Sequence, residues 1–150
     1  MTNALYNSFK LKLAQAGINL GTATLKVALL SNGYTPNIDT DVFFSDVSSH
    51  EVTGTGYTAG GKALTTQAVT EDTGNDRAYL SADNTHWDSS TITARYAVLY
   101  NDTGNASTSP LIGYITFLDG GGSPADKSTN GDSFYITWPA GSAGGILYLS

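Results

Sequence analysis

The first part of the chain carries apolar side chains at the spacing of a helix. Leu5, Phe9 and Leu13 recur at intervals of four residues, which places them on one helical face. Gly17 fits the left-handed residue that ends many helices. The pattern predicts one amphipathic helix over about residues 3–16.

From about residue 24 onward, the pattern changes to alternation and short apolar runs. Such runs, bounded by Gly, Asn, Asp and Pro, are typical of antiparallel strands joined by tight turns. Residues 91–101 are apolar on both alternating faces, so we expect a central strand that is covered on both sides. The predicted strands are residues 24–31, 63–70, 77–82, 91–101, 111–118, 134–138 and 146–149.

These elements predict a mainly β chain. We expect one antiparallel β-sandwich or barrel-like domain over residues 1–150 with one N-terminal α-helix, because seven short strands at this spacing suit a closed or layered sheet. The composition agrees, since 20 Thr, 15 Ser and 17 Gly suit strands and turns better than helices. Residues 32–61 and 120–132 are too long for simple hairpins, and long loops on a rigid scaffold often carry contacts.

The charge is unevenly distributed along the chain. The net charge is −6, but residues 1–38 contain three lysines and no acid, whereas residues 39–150 contain four basic and thirteen acidic residues. We expect no nucleic-acid partner, because phosphate binding needs clustered basic side chains. The longest strictly apolar run is five residues, 96–100, and no basic segment precedes a longer one, so we expect neither a secretion signal nor a membrane span.

Residues 56–62 have the glycine and lysine spacing of a phosphate-binding loop. The match ends at Ala63, where the hydroxyl that would bind magnesium is missing, and the residues that follow have the pattern of a strand instead of a helix. The segment is therefore interpreted as a glycine-rich turn that enters a strand.

Asn37, Asp39 and Asp41 lie at alternate positions, with Asp46 beyond them. Oxygen ligands at this spacing can hold calcium, but an EF-hand loop would need glycine at position 42 and glutamate at position 48. The chain has valine and serine there. A solvated acidic loop is the better interpretation, with calcium as the alternative.

The inventory of catalytic groups is small. The chain has no cysteine, which excludes disulfides, thiol nucleophiles and cysteine-bound metals. His50 and His86 are the two imidazoles, and Ser49, Glu51 and Asp88 neighbour them only in sequence, which is no proof of a triad. We therefore expect no enzymatic activity, no cofactor and no metal site.

Six segments are spread over nearly the whole chain, and none of them is a catalytic motif. They are LYNSFK at 5–10, KVALL at 26–30, YTPN at 34–37, EVTGTGYTAGG at 51–61, TARYAVLY at 93–100 and LIGYI at 111–115. Together and in this order they resemble a family of small virion proteins of tailed bacteriophages. The resemblance is closest to capsid decoration, or cement, proteins.

The resemblance implies a non-enzymatic protein that is made in the cytoplasm of the host bacterium and located on the capsid exterior of the virion. Its expected partner is the phage major capsid protein, and it is expected to form a homotrimer or another homo-oligomer on the particle. A protein that binds only the assembled lattice stabilises that state by mass action.

The resemblance and the charge asymmetry together favour docking through the N-terminal helix region and loop 32–61. An adjacent pair of aromatic side chains, Phe43 and Phe44, would face opposite ways on an extended backbone. The two alternatives are that one ring faces a partner or that both are buried beneath the loop. The candidate contacts are Leu5, Tyr6, Phe9, Lys10, Lys12, Leu13, Tyr34, Phe43 and Phe44.

An alternative from the same family is a tail or fibre-associated virion protein that binds a glycan on the host surface. Trp87, Trp138 and the nine tyrosines would supply the aromatic platforms for sugar rings.

Overall fold

A computed structural model describes residues 2–149, apart from the side chains of residues 2, 3 and 142. The architecture is mainly β with antiparallel pairing, as predicted. In chain order the elements are β1 (Thr2–Leu5), α1 (Asn7–Ala14), β2 (Leu25–Leu30), α2 (Phe44–Val47), β3 (Lys62–Ala63), β4 (Ala68–Asp72), β5 (Arg77–Ser81), β6 (Thr85–Ser90), β7 (Thr93–Ala94), β8 (Tyr96–Asn101), β9 (Leu111–Thr116), β10 (Lys127–Ser128), β11 (Asp132–Ile136) and β12 (Leu147–Leu149), with short 3₁₀ helices at Ser48–His50 and Gly141–Ala143.

The largest sheet has five strands in the order β1-β9-β8-β2-β3. β8 lies at its centre, where Val98 pairs with Ala28 on one side and with Tyr114 on the other. The side chain of Val98 is completely buried. The prediction of a central strand in the 91–101 segment is therefore confirmed.

The other strands form smaller antiparallel sheets, in the orders β12-β5-β4, β11-β6 and β10-β7. One contiguous apolar cluster joins α1 and α2 to the buried side chains of β2, β5, β6, β7, β8, β9, β11 and β12. The result is a β-sandwich-like arrangement around a shared core. No helix in the part of the chain described is long and apolar enough to cross a membrane.

The N-terminal helix is shorter than predicted. Residues 2–5 form strand β1 instead, because their backbone pairs with β9 from Thr2↔Thr116 to Leu5↔Gly113. The helix covers only Asn7–Ala14. The spacing of Leu5 fits a helix as well as a strand. Without β1, however, the backbone groups on that edge of β9 would lack hydrogen-bond partners from the chain.

The helix ends at Ala14 in a Schellman arrangement, two residues before the predicted end. The amide of Gly17 donates to the carbonyl of Lys12 at 2.7 Å, and the amide of Ala16 donates to Leu13 at 3.1 Å. The left-handed residue is Ala16, with φ of 56°, and not Gly17. In this motif the left-handed residue comes directly before the residue whose amide makes the longer-range hydrogen bond, so Ala16 is left-handed and Gly17 follows it.

Two predicted strands are each divided in the structure. Residues 63–70 separate into β3 and β4, which belong to different sheets. Residues 91–101 separate into β7 and β8 at Arg95, whose guanidinium pairs with Asp126 at 2.8 Å. Alternation in sequence continues through a bend, so it does not locate the point where a strand changes its partner.

β6 was not predicted at all, because its sequence is mostly polar. Thr85 and Trp87 point inward and are buried, whereas His86 and Asp88 point outward. The alternation of inward and outward positions could have indicated a strand, but the run contains only one large apolar residue, Trp87. β10 is a two-residue strand that was also not predicted.

Candidate docking surface

Four of the nine predicted docking residues are core residues. Tyr6 and Phe9 are 0% exposed, Tyr34 is 4% exposed and Phe44 is 6% exposed. A side chain that is enclosed by its own domain presents no surface to a partner. These four residues are therefore removed from the predicted docking set. The other five are partly or fully exposed and stay predictions: Leu5, Lys10, Lys12, Leu13 and Phe43.

The hydroxyl groups of two of these buried residues are linked to the acidic loop. Tyr6 and Tyr34 share a hydrogen bond of 2.7 Å between their hydroxyls. The Tyr34 hydroxyl also donates to the carboxylate of Asp41 at 2.7 Å. Burial raises the pKa of both tyrosines well above the ordinary range. The pair therefore anchors loop 32–61 to the start of α1 as neutral hydroxyls.

The adjacent pair Phe43 and Phe44 divides between surface and core. Phe44 begins the short helix α2 and stacks on Tyr100, with 4.3 Å between ring centroids and 6° between ring planes. Phe43 is half-buried, and the ammonium of Lys12 lies 5.6 Å from its ring centroid. A cation over an aromatic face is a favourable contact, and here it joins α1 to loop 32–61.

The outward side of α1 forms the candidate docking surface. We call it the α1 face: Asn7, Lys10, Leu11 and Ala14, which lie at helical spacing and are all exposed. Leu11 is 58% exposed. The ammonium of Lys10 donates to the Asn7 side chain at 3.1 Å, and Asn7 donates to Asp39 at 2.6 Å.

Leu11 was missing from the predicted set, although its position was informative. It lies off the apolar stripe of Leu5, Phe9 and Leu13, between two lysines. A large apolar side chain on the polar side of an amphipathic helix is an available signal of contact with something outside the domain. Lys26, the third N-terminal lysine, has a partner within the domain: it pairs with Asp102 at 2.7 Å and lowers the pKa of that carboxyl.

The acidic loop uses its carboxylates to order its own backbone. Asp41 accepts from the amide of Asn37 at 3.1 Å, and Asp46 accepts from the amides of Val42 and Phe43, both at 2.9 Å. Across residues 2–149, as far as their side chains are described, no three acidic or imidazole side chains form a group that could hold a metal ion. The spacing that suggested calcium is thus explained by loop and capping hydrogen bonds.

The glycine-rich segment 54–61 brings its backbone against β2 at its last residue, Gly61. Gly61 has φ of 69°, and a β-carbon there would overlap the backbone carbonyl of Val27. The carboxylate of Glu51 accepts from the Tyr57 hydroxyl at 2.6 Å and from the Gly60 amide at 2.7 Å. Lys62 continues into β3. The interpretation of this segment as a turn into a strand is confirmed.

The two histidines lie in different places. His50 packs against Tyr34, with 5.8 Å between ring centroids. His86 lies 3.5 Å from Asp88, which also accepts from the Ser133 hydroxyl at 2.8 Å. This order puts the carboxylate between the hydroxyl and the imidazole, whereas nucleophile activation needs the imidazole in the middle.

Both tryptophans are core residues and not sugar platforms. Trp87 is 4% exposed and Trp138 is 7% exposed. The indole of Trp138 donates to the Thr85 hydroxyl at 3.2 Å. Tyr135 and Tyr148 are the aromatic residues whose rings reach solvent most, with exposures of 60% and 52% among the described side chains.

Comparison with known proteins gave no relative: no family model, curated protein or solved structure matches this chain.

Proposed function

We propose that this chain is a non-enzymatic subunit of a tailed-phage virion that binds the outside of the major-capsid lattice and stabilises the head. The observation that carries the proposal is the α1 face, where Leu11 is exposed beside Lys10. It is a cationic and apolar surface on a chain whose net charge is −6. The resemblance of the sequence to virion proteins supplies the class of partner.

Each part of this surface has a physical role in docking. The exposed Leu11 side chain gains free energy when a partner covers it. Lys10 on this face, and Lys12 next to it on the same helix, favour an acidic partner and speed its encounter. The acidic remainder of the chain keeps decorated particles from adhering to one another. A homotrimer, or another homo-oligomer, would multiply a modest contact energy at each lattice site.

The alternative, a tail or fibre protein that binds a host glycan, loses its two tryptophan platforms because both indoles are buried. Exposed tyrosines remain available to a glycan, so the head position is preferred because the sequence resembles capsid decoration proteins most.

The proposal is tested by reversing the charge of the docking surface. In Lys10→Glu/Lys12→Glu, occupancy on purified heads is expected to fall about tenfold at low ionic strength, because attraction becomes repulsion. Occupancy is measured by gel quantification and cryo-imaging. Folding should survive, since Lys10 is a surface position and the lost contact between Lys12 and Phe43 is worth only about 0.5 to 1 kcal/mol at an exposed site.

The matched control is Lys62→Glu/Lys127→Glu, which changes the net charge equally at exposed positions away from α1. Its occupancy should stay closer to that of the parent chain. Equal occupancy of the two double variants would contradict docking through the α1 face. Heads that are bare of the parent protein would contradict the proposed function itself.

A further inference from the structure

The two-stranded ribbon of β6 and β11 has one face in the core and one in solvent. Trp87 and Phe134 face inward and pack edge to face, with ring centroids 6.2 Å apart. The outward side chains form what we call the outer ribbon face: His86, Asp88, Ser133 and Tyr135. None of these four residues belongs to the proposed docking surface.

The outer ribbon face contains an ordered aromatic pair. Tyr135 and His86 are direct cross-strand partners. Their rings stack with 5.1 Å between centroids and 24° between planes. Tyr135 is nevertheless 60% exposed, more than any other large apolar side chain described. The stack holds the ring in one orientation, which lowers the entropy cost of binding a ligand against it.

Hydrogen-bonding groups lie directly beside the rings. The Ser133 hydroxyl donates to one carboxylate oxygen of Asp88 at 2.8 Å, and the other oxygen lies 3.5 Å from the His86 imidazole. The ammonium of Lys62 donates to the His86 backbone carbonyl at 2.7 Å. Asp88 retains acceptor capacity for a ligand, because each carboxylate oxygen has two lone pairs.

A shallow hollow of about 270 Å³ adjoins Tyr135. Its lining is formed by Phe117, Phe134 and Tyr135 with the polar side chains of Lys127, Ser128, Thr129 and Ser133. Asp88 does not line the hollow, but it lies next to it through its hydrogen bond with Ser133. This volume is slightly below the range of drug-sized sites, so it suits a single small ring. The hollow therefore combines an aromatic wall with hydroxyl and ammonium groups.

We infer that the outer ribbon face binds a neutral pyranose sugar. A pyranose has a face of C–H groups that packs on an aromatic ring, and hydroxyls around its edge that need both donors and acceptors. Tyr135 provides the ring, Asp88 the acceptors and Ser133 a hydroxyl. A neutral sugar is favoured because the charges near this face balance. Lys62 bonds the His86 carbonyl and Lys127 lines the hollow, while Asp88 lies on the face and Asp132 begins β11.

This inference does not depend on where the protein sits in a virion. Docking through α1 uses a different element and different residues, so either proposal can fail alone.

The test is an NMR titration of the ¹⁵N-labelled full chain with lactose, cellobiose and N,N′-diacetylchitobiose. At least one of these sugars is expected to shift the backbone resonances of β6 and β11, with an affinity in the millimolar range. Tyr135→Ala should weaken that affinity by about three- to tenfold, the equivalent of a lost aromatic contact. Asp88→Asn should weaken it as well, because the charged acceptor is lost.

The matched control is Tyr148→Ala, which removes a tyrosine of similar exposure from another sheet and should leave sugar binding unchanged. The two outer-face variants remove different contacts, so loss of folding in one leaves the other to decide. The inference is overturned if no sugar shifts β6 and β11 at tens of millimolar. It is also overturned if Tyr135→Ala binds like the parent, or if sialyllactose binds more tightly than lactose.

Discussion

β8 and β4 are both short antiparallel strands, but their surroundings are opposite. β8 is the central strand of the five-stranded sheet, and four of its six residues are buried. β4 is an edge strand of the β12-β5-β4 sheet, and four of its five residues are exposed. The two strands therefore form by different means: β8 by burial of its side chains, and β4 by its pairing with β5.

The turn that joins β4 to β5 illustrates the second means. Asp72 accepts from the side chains of Asn75 at 2.8 Å and Arg77 at 3.0 Å. The hydrogen bond from Asn75 and the pairing with Arg77 lower the pKa of Asp72. Local polar contacts of this kind define a turn whose own residues are outside the core, so changes in this turn and in the large sheet should have very different effects.

The largest difference is expected between two glycines. In Gly61→Ala, the new β-carbon would overlap the Val27 carbonyl and the residue would keep φ of 69°. We expect a loss of about 3 to 5 kcal/mol in the free energy of unfolding. Gly74→Ala in the hairpin turn would place its β-carbon 3.7 Å from the nearest atom and should cost less than about 0.5 kcal/mol. Urea unfolding followed by tryptophan fluorescence measures both, and equal losses would contradict the distinction.

A second pair compares the same substitution in the two strands. Val98 is 0% exposed and Val69 is 50% exposed. Val98→Ala is expected to cost about 2 kcal/mol, from lost burial and the cavity left behind. Val69→Ala should cost less than about 0.5 kcal/mol, since half of its side chain is already in water. A Val69 variant as damaging as the Val98 variant would mean that the hairpin face is covered in solution.

The third test uses buried hydroxyls beside the large sheet. Tyr57 accepts from the Leu29 amide at 3.0 Å and donates to Glu51 at 2.6 Å. Burial, followed by the hydrogen bond to Glu51, raises the pKa of Tyr57. A raised pKa means that the stabilising contribution is complete below the unfolded-state value near 10. Above that pH the unfolded chain loses a proton that the folded chain keeps, so stability falls.

The slope of stability against pH above about 10 should therefore be smaller in Tyr57→Phe, by up to about 1.4 kcal/mol per pH unit. At neutral pH the same variant should lose about 1 to 3 kcal/mol, because Leu29 loses its hydrogen-bond partner. Urea unfolding at a series of alkaline pH values measures the slope. Parallel curves for parent and variant would contradict the role given to this hydroxyl.

The predicted docking residues show what helical spacing in the sequence can predict and what it cannot. It placed Phe9 and Leu13 on one face of a helix, and the structure has that helix. It did not decide what the face packs against, and the strand pairing of β1 and the burial of Phe9 show that it packs against the domain itself. The side chain that remains exposed, Leu11, is on the other side.

The candidate sugar site could not be predicted from spacing in the sequence, because its residues come from two distant segments. His86 and Asp88 are two residues apart, but Ser133 and Tyr135 lie more than forty residues later. Only the antiparallel register of β6 and β11 brings these four side chains together. No spacing within either segment contains that information.

The amino-acid sequence alone determined the class of the fold, the central strand, the turns and the concentration of positive charge near the N-terminus. These features depend on neighbours a few residues apart, where side-chain periodicity and turn preferences act. The tertiary structure alone decided which apolar side chains are buried and which residues share a surface. It also decided that β1 pairs with β9 and that β6 pairs with β11. Those outcomes depend on contacts between distant segments, since a buried face and an exposed face can have the same local pattern.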